Sequence, residues 1–202
     1  MSAPNMAFNR IQRELAEVAK ASDAEKGIVS LEAKDGRLDH LTGVIKGPPS
    51  SPYEGGTYVL DIKIPPEYPF KPPEVKFATK VWHPNVSSVT GAICLDILRT
   101  NWAAAMTLRT VMISIQALLG SPVADDPQDA VVASQFKTNR SLFDSTAKYW
   151  ATTYADAPSE VPEMKEKVAQ MVAMGFNESD VRDTLSWSGW DVAKALEKLA
   201  PE

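Results

Sequence analysis

Cys94 is the single cysteine of the chain, and its surroundings decide whether it is an inert small hydrophobe or a nucleophile. It follows Gly91-Ala92-Ile93 and precedes Leu95-Asp96, inside residues 80–106, a stretch with little regular periodicity. Irregular segments above ~12–15 residues in a compact domain usually carry function. Gly91 permits backbone conformations closed to other residues. Asn85, nine residues upstream and fixed behind Pro84, supplies an amide that either donates to the oxyanion of an acyl-transfer intermediate or holds the loop. A cysteine hydrolase also needs a histidine base beside the thiol. Only His40 and His83 exist. His40 falls in a predicted strand, and His83, inside His83-Pro84-Asn85, is better suited to a structural hydrogen bond than to base catalysis. Asp96, two residues past the thiol, opposes its ionisation. Such a set suits carrying an acyl group better than hydrolysing one.

The elements that must position these groups are legible in outline. Phe8, Ile11, Leu15 and Val18 recur at helical spacing with Arg10, Arg13, Glu14 and Glu17 between them, predicting an amphipathic N-terminal helix. Residues 28–33, 38–46, 57–64 and 75–79 read as short strands. Their connections are too short for parallel crossovers, so the expected sheet is a four-stranded antiparallel meander. In the third strand Tyr58, Leu60, Ile62 and Ile64 share one face and Asp61 and Lys63 the other. Residues 65–73 are too rich in proline for a helix or central strand and form a stiff loop. Phe70 within it is either a core residue or a docking contact. Thr107 caps a helix whose buried side is Leu108, Val111, Met112, Ile115, Leu118 and Leu119, ended by Gly120-Ser121-Pro122. Asp125-Asp126-Pro127 introduces another helix, and Ser141 caps a third that runs to Tyr154.

The 202 residues are 44% hydrophobic and 23% charged, the make-up of a folded protein of one or two domains. Lys and Arg number 21 against 26 Asp and Glu, and the net charge of −5 argues against a nucleic-acid partner. One cysteine excludes an internal disulfide, and with two histidines it cannot close a structural zinc site, so no metal is expected. No apolar run approaches the ~20 residues of a membrane span, and the first fifteen residues lack the apolar core of a secretory signal. A reducing compartment, cytoplasm or nucleus, and no membrane partner are the expectation. Residues 156–162 turn to small, acidic and proline residues, a linker between domains 1–155 and 163–202. The second domain reads as three short helices. One, 163–174, is stopped by Gly175; a second is capped by Asn177; a third is opened by Ser188 or Gly189.

His83-Pro84-Asn85, Gly91-Ala92-Ile93-Cys94-Leu95-Asp96-Ile97-Leu98 and Trp102 resemble the active-site signature of ubiquitin-conjugating enzymes. Tyr53-Glu54-Gly55-Gly56, the proline loop and Asp125-Asp126-Pro127 match further segments of that family in the right order. The resemblance covers residues 6 to about 155. The C-terminal segment, with Met174-Gly175-Phe176 as its loop signature, resembles a ubiquitin-associated (UBA) domain. This order of parts, Ser87-Ser88-Val89-Thr90-Gly91 and residues 126–133 are similar to the huntingtin-interacting class of the family.

The fold this resemblance implies is α/β (α+β): a conjugating core with a four-stranded antiparallel sheet and flanking helices, then a three-helix UBA bundle. It implies that Cys94 accepts ubiquitin from the activating enzyme as a thioester and passes it to lysines of protein substrates or of ubiquitin, building proteasome-targeting chains. No cofactor is bound, because ATP is consumed upstream by the activating enzyme. By position, Asn85 stabilises the oxyanion or holds the loop, Asp126 orients the lysine and helps shed its proton, Asp96 assists, and His83 and Pro84 shape the loop. Read from the residues alone, Asp125 and Asp126 are helix caps. Arg10 and Arg13 would meet the activating enzyme. Phe70 and Ala104 would meet RING-type ligases, with Ala103-Ala104-Ala105 standing where many members read Ser-Pro-Ala. Met174, Gly175, Phe176 and Leu199 would bind ubiquitin non-covalently. Lys198 stands where many such domains carry another leucine, and on the residues alone Met174 and Phe176 are bundle core.

Overall fold

The computed structural model describes residues 3–20 and 27–200, so the domain bounds expected at Met1 and Glu202 lie outside the described residues. Helix α1 (Ala3–Lys20) leads into strands β1 (Ile28–Lys34), β2 (Arg37–Lys46), β3 (Thr57–Lys63) and β4 (Glu74–Phe77). They pair antiparallel in chain order. The alternation in β3 selects its buried face: Tyr58, Leu60 and Ile62 are wholly enclosed while Lys63 is exposed. Helix α2 (Leu108–Gly120) lies on that face through Leu108, Val111, Met112 and Ile115. The approach is close enough that a Cβ on Gly43 of β2 would sit 3.1 Å from Met112 Cε. Thr107 caps α2, its hydroxyl accepting from the Thr110 N–H at 3.2 Å.

Helix α1 buries most of the face its spacing predicts, with Ile11 and Val18 buried and Leu15 packed against the core, but Phe8 is left out and Ala7 and Glu14 turn in. Phe8 is 51% exposed, and the inward positions are Ala7, Ile11, Glu14 and Val18. Glu14, expected on the polar side, is 2% exposed. Its carboxylate accepts from Arg10 Nε (2.7 Å), the Tyr68 hydroxyl (2.9 Å) and the Leu108 N–H (2.8 Å). A carboxylate at the start of α2 is favoured by the helix dipole and the free N–H groups there. Glu14 thereby joins α1, the proline loop and α2 at one point.

Two other helices start later or earlier than expected. Asp125 and Asp126 cap nothing: α3 (Ala130–Thr138) is capped by Asp129, which accepts from the Val132 N–H at 3.2 Å. Asn139, not Ser141, caps α4 (Arg140–Tyr154).

After α4 the chain is strapped down rather than loose. The Ala155 carbonyl accepts from the Thr57 N–H at 2.7 Å, and the Ala157 N–H donates to the Ala151 carbonyl at 3.1 Å. Pro158 packs so tightly on Gly55 that a Cβ there would lie 2.6 Å from Pro158 Cδ. Helices α5 (Pro162–Ala173), α6 (Glu178–Trp187) and α7 (Val192–Leu199) follow as a bundle around Met164, Val168, Met171, Val181, Leu185 and Ala195. Asn177 caps α6 as expected, whereas Asp191, not Ser188 or Gly189, caps α7. The bundle docks on α4 and the segment before the active-site loop. The Trp150 indole donates to Ser186 Oγ and the Trp190 indole to Thr146 Oγ1, both at 2.9 Å. Tyr149 and Trp190 meet edge to face at 4.9 Å, and Lys80 pairs with Asp183 at 3.1 Å.

Candidate active site

The loop bearing Cys94 is built by backbone pairing around a glycine. Gly91 has φ +72°, and a Cβ there would lie 2.0 Å from the Phe77 carbonyl oxygen, so no side chain fits. That closeness lets the Phe77 N–H bond the Gly91 carbonyl at 2.9 Å, anchoring the loop to β4. The Cys94 N–H in turn donates to the Asn85 carbonyl at 2.9 Å. Pro84 ties in the opposite wall, its carbonyl accepting from the N–H groups of Gln128 (2.8 Å) and Asp129 (3.0 Å).

Asn85 closes this arrangement. Its Nδ2 donates to the carbonyls of Val123 (2.9 Å) and Asp126 (3.0 Å), and its Oδ1 accepts from the Val123 N–H (2.8 Å). Both amide hydrogens are engaged, so in this state Asn85 holds the loop and has no donor free for an oxyanion. His83 is fully buried. The Asn85 N–H donates to its Nδ1 at 3.0 Å, which leaves Nε2 to donate to the Leu118 carbonyl at 3.0 Å. Burial pushes its pKa down to about 3, and a neutral imidazole with both nitrogens bonded inside the loop is not a base for the thiol.

Cys94 is half-buried in a cleft of about 510 Å³ whose walls include Asn85, Asp96, Arg99, Val123 and Asp126. Its thiol donates to Asp126 Oδ2 at 3.5 Å, a long contact within reach for sulfur. Burial raises the thiol pKa, the Arg99 guanidinium works against that, and the Asp126 carboxylate adds to the rise. The carboxylate that opposes ionisation is thus Asp126, not Asp96 as its sequence position suggests. Asp96 instead shapes the turn after the cysteine, accepting from the Ile97 N–H (2.8 Å) and Asn101 Nδ2 (2.7 Å) at the head of a short 3-10 helix. Arg99 reaches across the cleft to Gln128 Oε1 at 3.3 Å. The sequence reading missed Arg99, although it stands only five residues past the cysteine. A protonated thiol with no base and a carboxylate at its rim can exchange into a thioester and receive a cationic amine.

The expected partner residues divide. Phe70 is 71% exposed, which settles it as a surface residue. The Trp102 indole donates to the Pro69 carbonyl at 2.8 Å, and this bond sets Phe70 beside the loop of exposed Ala103, half-buried Ala104 and exposed Ala105. Arg13 is exposed and pairs loosely with Glu17 at 3.7 Å. Arg10 is not a free cation: it bonds Glu14, donates to the Met106 carbonyl at 2.7 Å and lies over the Tyr68 ring. Its role is to brace α1, because its charge offsets the buried Glu14 carboxylate. In the bundle, Met174 is 55% exposed beside Gly175, so it is not core. Phe176 and Leu199 are half-buried against the bundle interior, and Lys198 is exposed. Among the described residues no group of three or more His, Cys, Asp or Glu could hold a metal, and no helix is long and apolar enough to cross a membrane.

The sequence profile of the family described as "Ubiquitin-conjugating enzyme" matches residues 10–151. The human "Ubiquitin-conjugating enzyme E2 K" is 54% identical over 195 residues, which is 96% of this chain and 98% of its own. The Drosophila melanogaster "Ubiquitin-conjugating enzyme E2-22 kDa" is 51% identical over the same shares of both chains. Among solved structures, the E2 domain of a Toxoplasma gondii ubiquitin conjugating enzyme superposes with a TM-score of 0.69 at 49% identity, covering 73% of this chain and 98% of that one. A likeness that runs through the cleft, the sheet and nearly the whole chain leaves one assignment: this chain belongs to the ubiquitin-conjugating enzymes, which carry ubiquitin as a cysteine thioester and pass it to an amine.

Proposed function

We propose that Cys94 is the carrier and Asp126 the group that receives the acceptor lysine, with Asn85, His83, Pro84 and Asp96 building the loop around them. The observation that carries this reading is the 3.5 Å pairing of the only thiol with Asp126 in a cleft without a base. In charging, the ubiquitin carbonyl exchanges one C–S bond for another, and the Cys94 proton leaves with the activating enzyme's thiolate. In discharge, the lysine nitrogen attacks that carbonyl, the C–N bond forms and the C–S bond breaks. The sulfur leaves as thiolate and regains a proton, while the amine's surplus proton passes by way of Asp126 to water. A carboxylate near an ammonium favours its charged form, so the orientation and desolvation of the amine at Asp126 must outweigh that penalty. A thiol held above its ordinary pKa is a poorer leaving group, which preserves the thioester until an oriented amine arrives.

The surroundings support partners at the surface. Arg13 faces solvent for the activating enzyme, and Phe70 with Ala104 forms a firm platform for a RING-type ligase. Exposed Met174, with Gly175 and the half-buried edges of Phe176 and Leu199, supports a UBA-type ubiquitin contact, narrowed by Lys198. A second ubiquitin site tethered to the core would raise the local concentration of a ubiquitin acceptor, which favours chain building and so proteasomal targeting. A free thiol suits a reducing compartment, cytoplasm or nucleus.

Charging tests the reading. With activating enzyme, ubiquitin, ATP and magnesium, a band heavier by one ubiquitin should appear on a non-reducing gel, vanish with thiol and be missing in Cys94→Ala. Its absence with folded protein, and an activating enzyme proven on a control, would sink the assignment of Cys94.

A further inference from the structure

The bundle reaches toward the active site at one place. The Trp187 indole N–H, at the end of α6, lies 3.3 Å from Ser88 Oγ. Ser88 belongs to the active-site loop between Asn85 and Gly91 and is almost wholly buried. Its Oγ donates to Asp129 Oδ2 at 2.6 Å, and its N–H reaches the same oxygen at 3.1 Å. The direction is forced, since an indole N–H only donates and a carboxylate only accepts. Hydrogen bonds therefore run Trp187 to Ser88 to Asp129.

Asp129 is a junction. Its other oxygen caps α3, and its N–H, with that of Gln128, holds the Pro84 carbonyl. Three residues before it stands Asp126, whose carbonyl is gripped by Asn85 and whose carboxylate faces Cys94. Ser88 and Asp129 thus clamp together the two loops that form opposite walls of the cleft. Trp187 is held over the clamp because α6 is fixed on both sides, by Asp183 to Lys80 and by Ser186 to Trp150.

We propose that Trp187 is a positioning residue for transfer: through Ser88 and Asp129 the docked bundle sets the placement of Asp126, and so the rate at which a lysine takes the acyl group. This rests on the reading of Asp126 as the group that receives the lysine. It gives the bundle a part in the chemistry that is separate from any binding of ubiquitin.

The test uses the full chain, charged and then quenched of activating enzyme, with discharge followed to free lysine and to hydroxylamine. Hydroxylamine is uncharged at neutral pH and needs no carboxylate to orient or deprotonate it, so the pair of amines separates a misplaced Asp126 from general damage. Trp187→Phe keeps an aromatic ring but removes the donor, and its thermal melt by circular dichroism checks folding. Ser88→Ala breaks the same relay from the core side and leaves the bundle's indole in place. Trp187→Phe should charge at the wild-type rate, lose ~3–10-fold in discharge to lysine and keep its discharge to hydroxylamine, since small misplacements of reacting groups cost this much or more. The double variant should be no slower with lysine than Ser88→Ala alone. Asp126→Asn is the control for the underlying reading and should lose discharge to lysine selectively. If it does and Trp187→Phe discharges normally, or loses both amines equally, the relay is wrong. Defects of the two relay variants that multiply would also overturn it. If Asp126→Asn shows no lysine-selective loss, the reading of Asp126 fails and the proposal with it.

Discussion

At the scale of single residues, the thiol and the imidazole are set in opposite ways by burial. Burial raises the Cys94 pKa, and Arg99 and Asp126 then pull in opposite directions. Removing the anion should favour the thiolate, and removing the cation should disfavour it. The midpoint of iodoacetamide alkylation against pH should therefore fall in Asp126→Asn and rise in Arg99→Ala; an unmoved midpoint in both would show that neither charge reaches the sulfur. His83 is held neutral, its pKa down at about 3 against the ordinary 6.5. Below 6.5 the unfolded chain takes up a proton that the folded chain refuses until about 3. The stability contributed by neutral His83 is present above that window and declines through it by ~1.4 kcal/mol per pH unit. Urea unfolding at pH 7 and pH 5 should show this slope in the wild type. His83→Gln should be weaker at pH 7 by ~1–3 kcal/mol for its lost buried bonds, yet less sensitive to acid.

At the scale of elements, the cleft depends on a glycine that a side chain cannot replace. Gly91→Ala would drive a methyl into the Phe77 carbonyl at a left-handed backbone position. It should cost ~2–4 kcal/mol in urea unfolding and slow charging, because β4 and the cysteine loop can no longer meet. Much of this architecture was open to reading beforehand. The alternation of β3, the proline loop and the Thr107 cap of α2 are signals carried by neighbours in sequence. The cleft, too, gathers Cys94, Asn85 and Asp126 from segments that the motifs single out. What escaped were choices made by partners far along the chain. Nothing near Glu14 says that Tyr68 and Leu108 will draw it inward, and with it goes the loss of Arg10 as a free cation. On paper Asp125 and Asp126 are the caps, and Asp129, three positions past Asp126, is of the same residue type. Asp129 takes the role because its second oxygen holds Ser88, while Asp126 is turned to the sulfur. Asp96, nearer in sequence to the thiol, is turned away by Asn101.

At the scale of the whole molecule, core and bundle share buried polar contacts, so they should unfold together. Ser186→Ala would leave the Trp150 N–H without its partner in a site that is almost wholly enclosed. A stranded buried donor costs ~1–3 kcal/mol. The urea midpoint should drop accordingly, and an unchanged midpoint would mean that docking adds nothing to stability. Of the five tryptophans, Trp150, Trp187 and Trp190 all stand at this junction, each giving its indole N–H to a hydroxyl. If the bundle lifts away, those N–H groups pass to water, and the buried rings of Trp150 and Trp190 lose cover. Indole emission responds to that change of surroundings. The protein thus carries its own unlabelled optical gauge: its ultraviolet fluorescence should redden as the bundle departs and return to the blue as it settles back, so the seam can be watched during turnover.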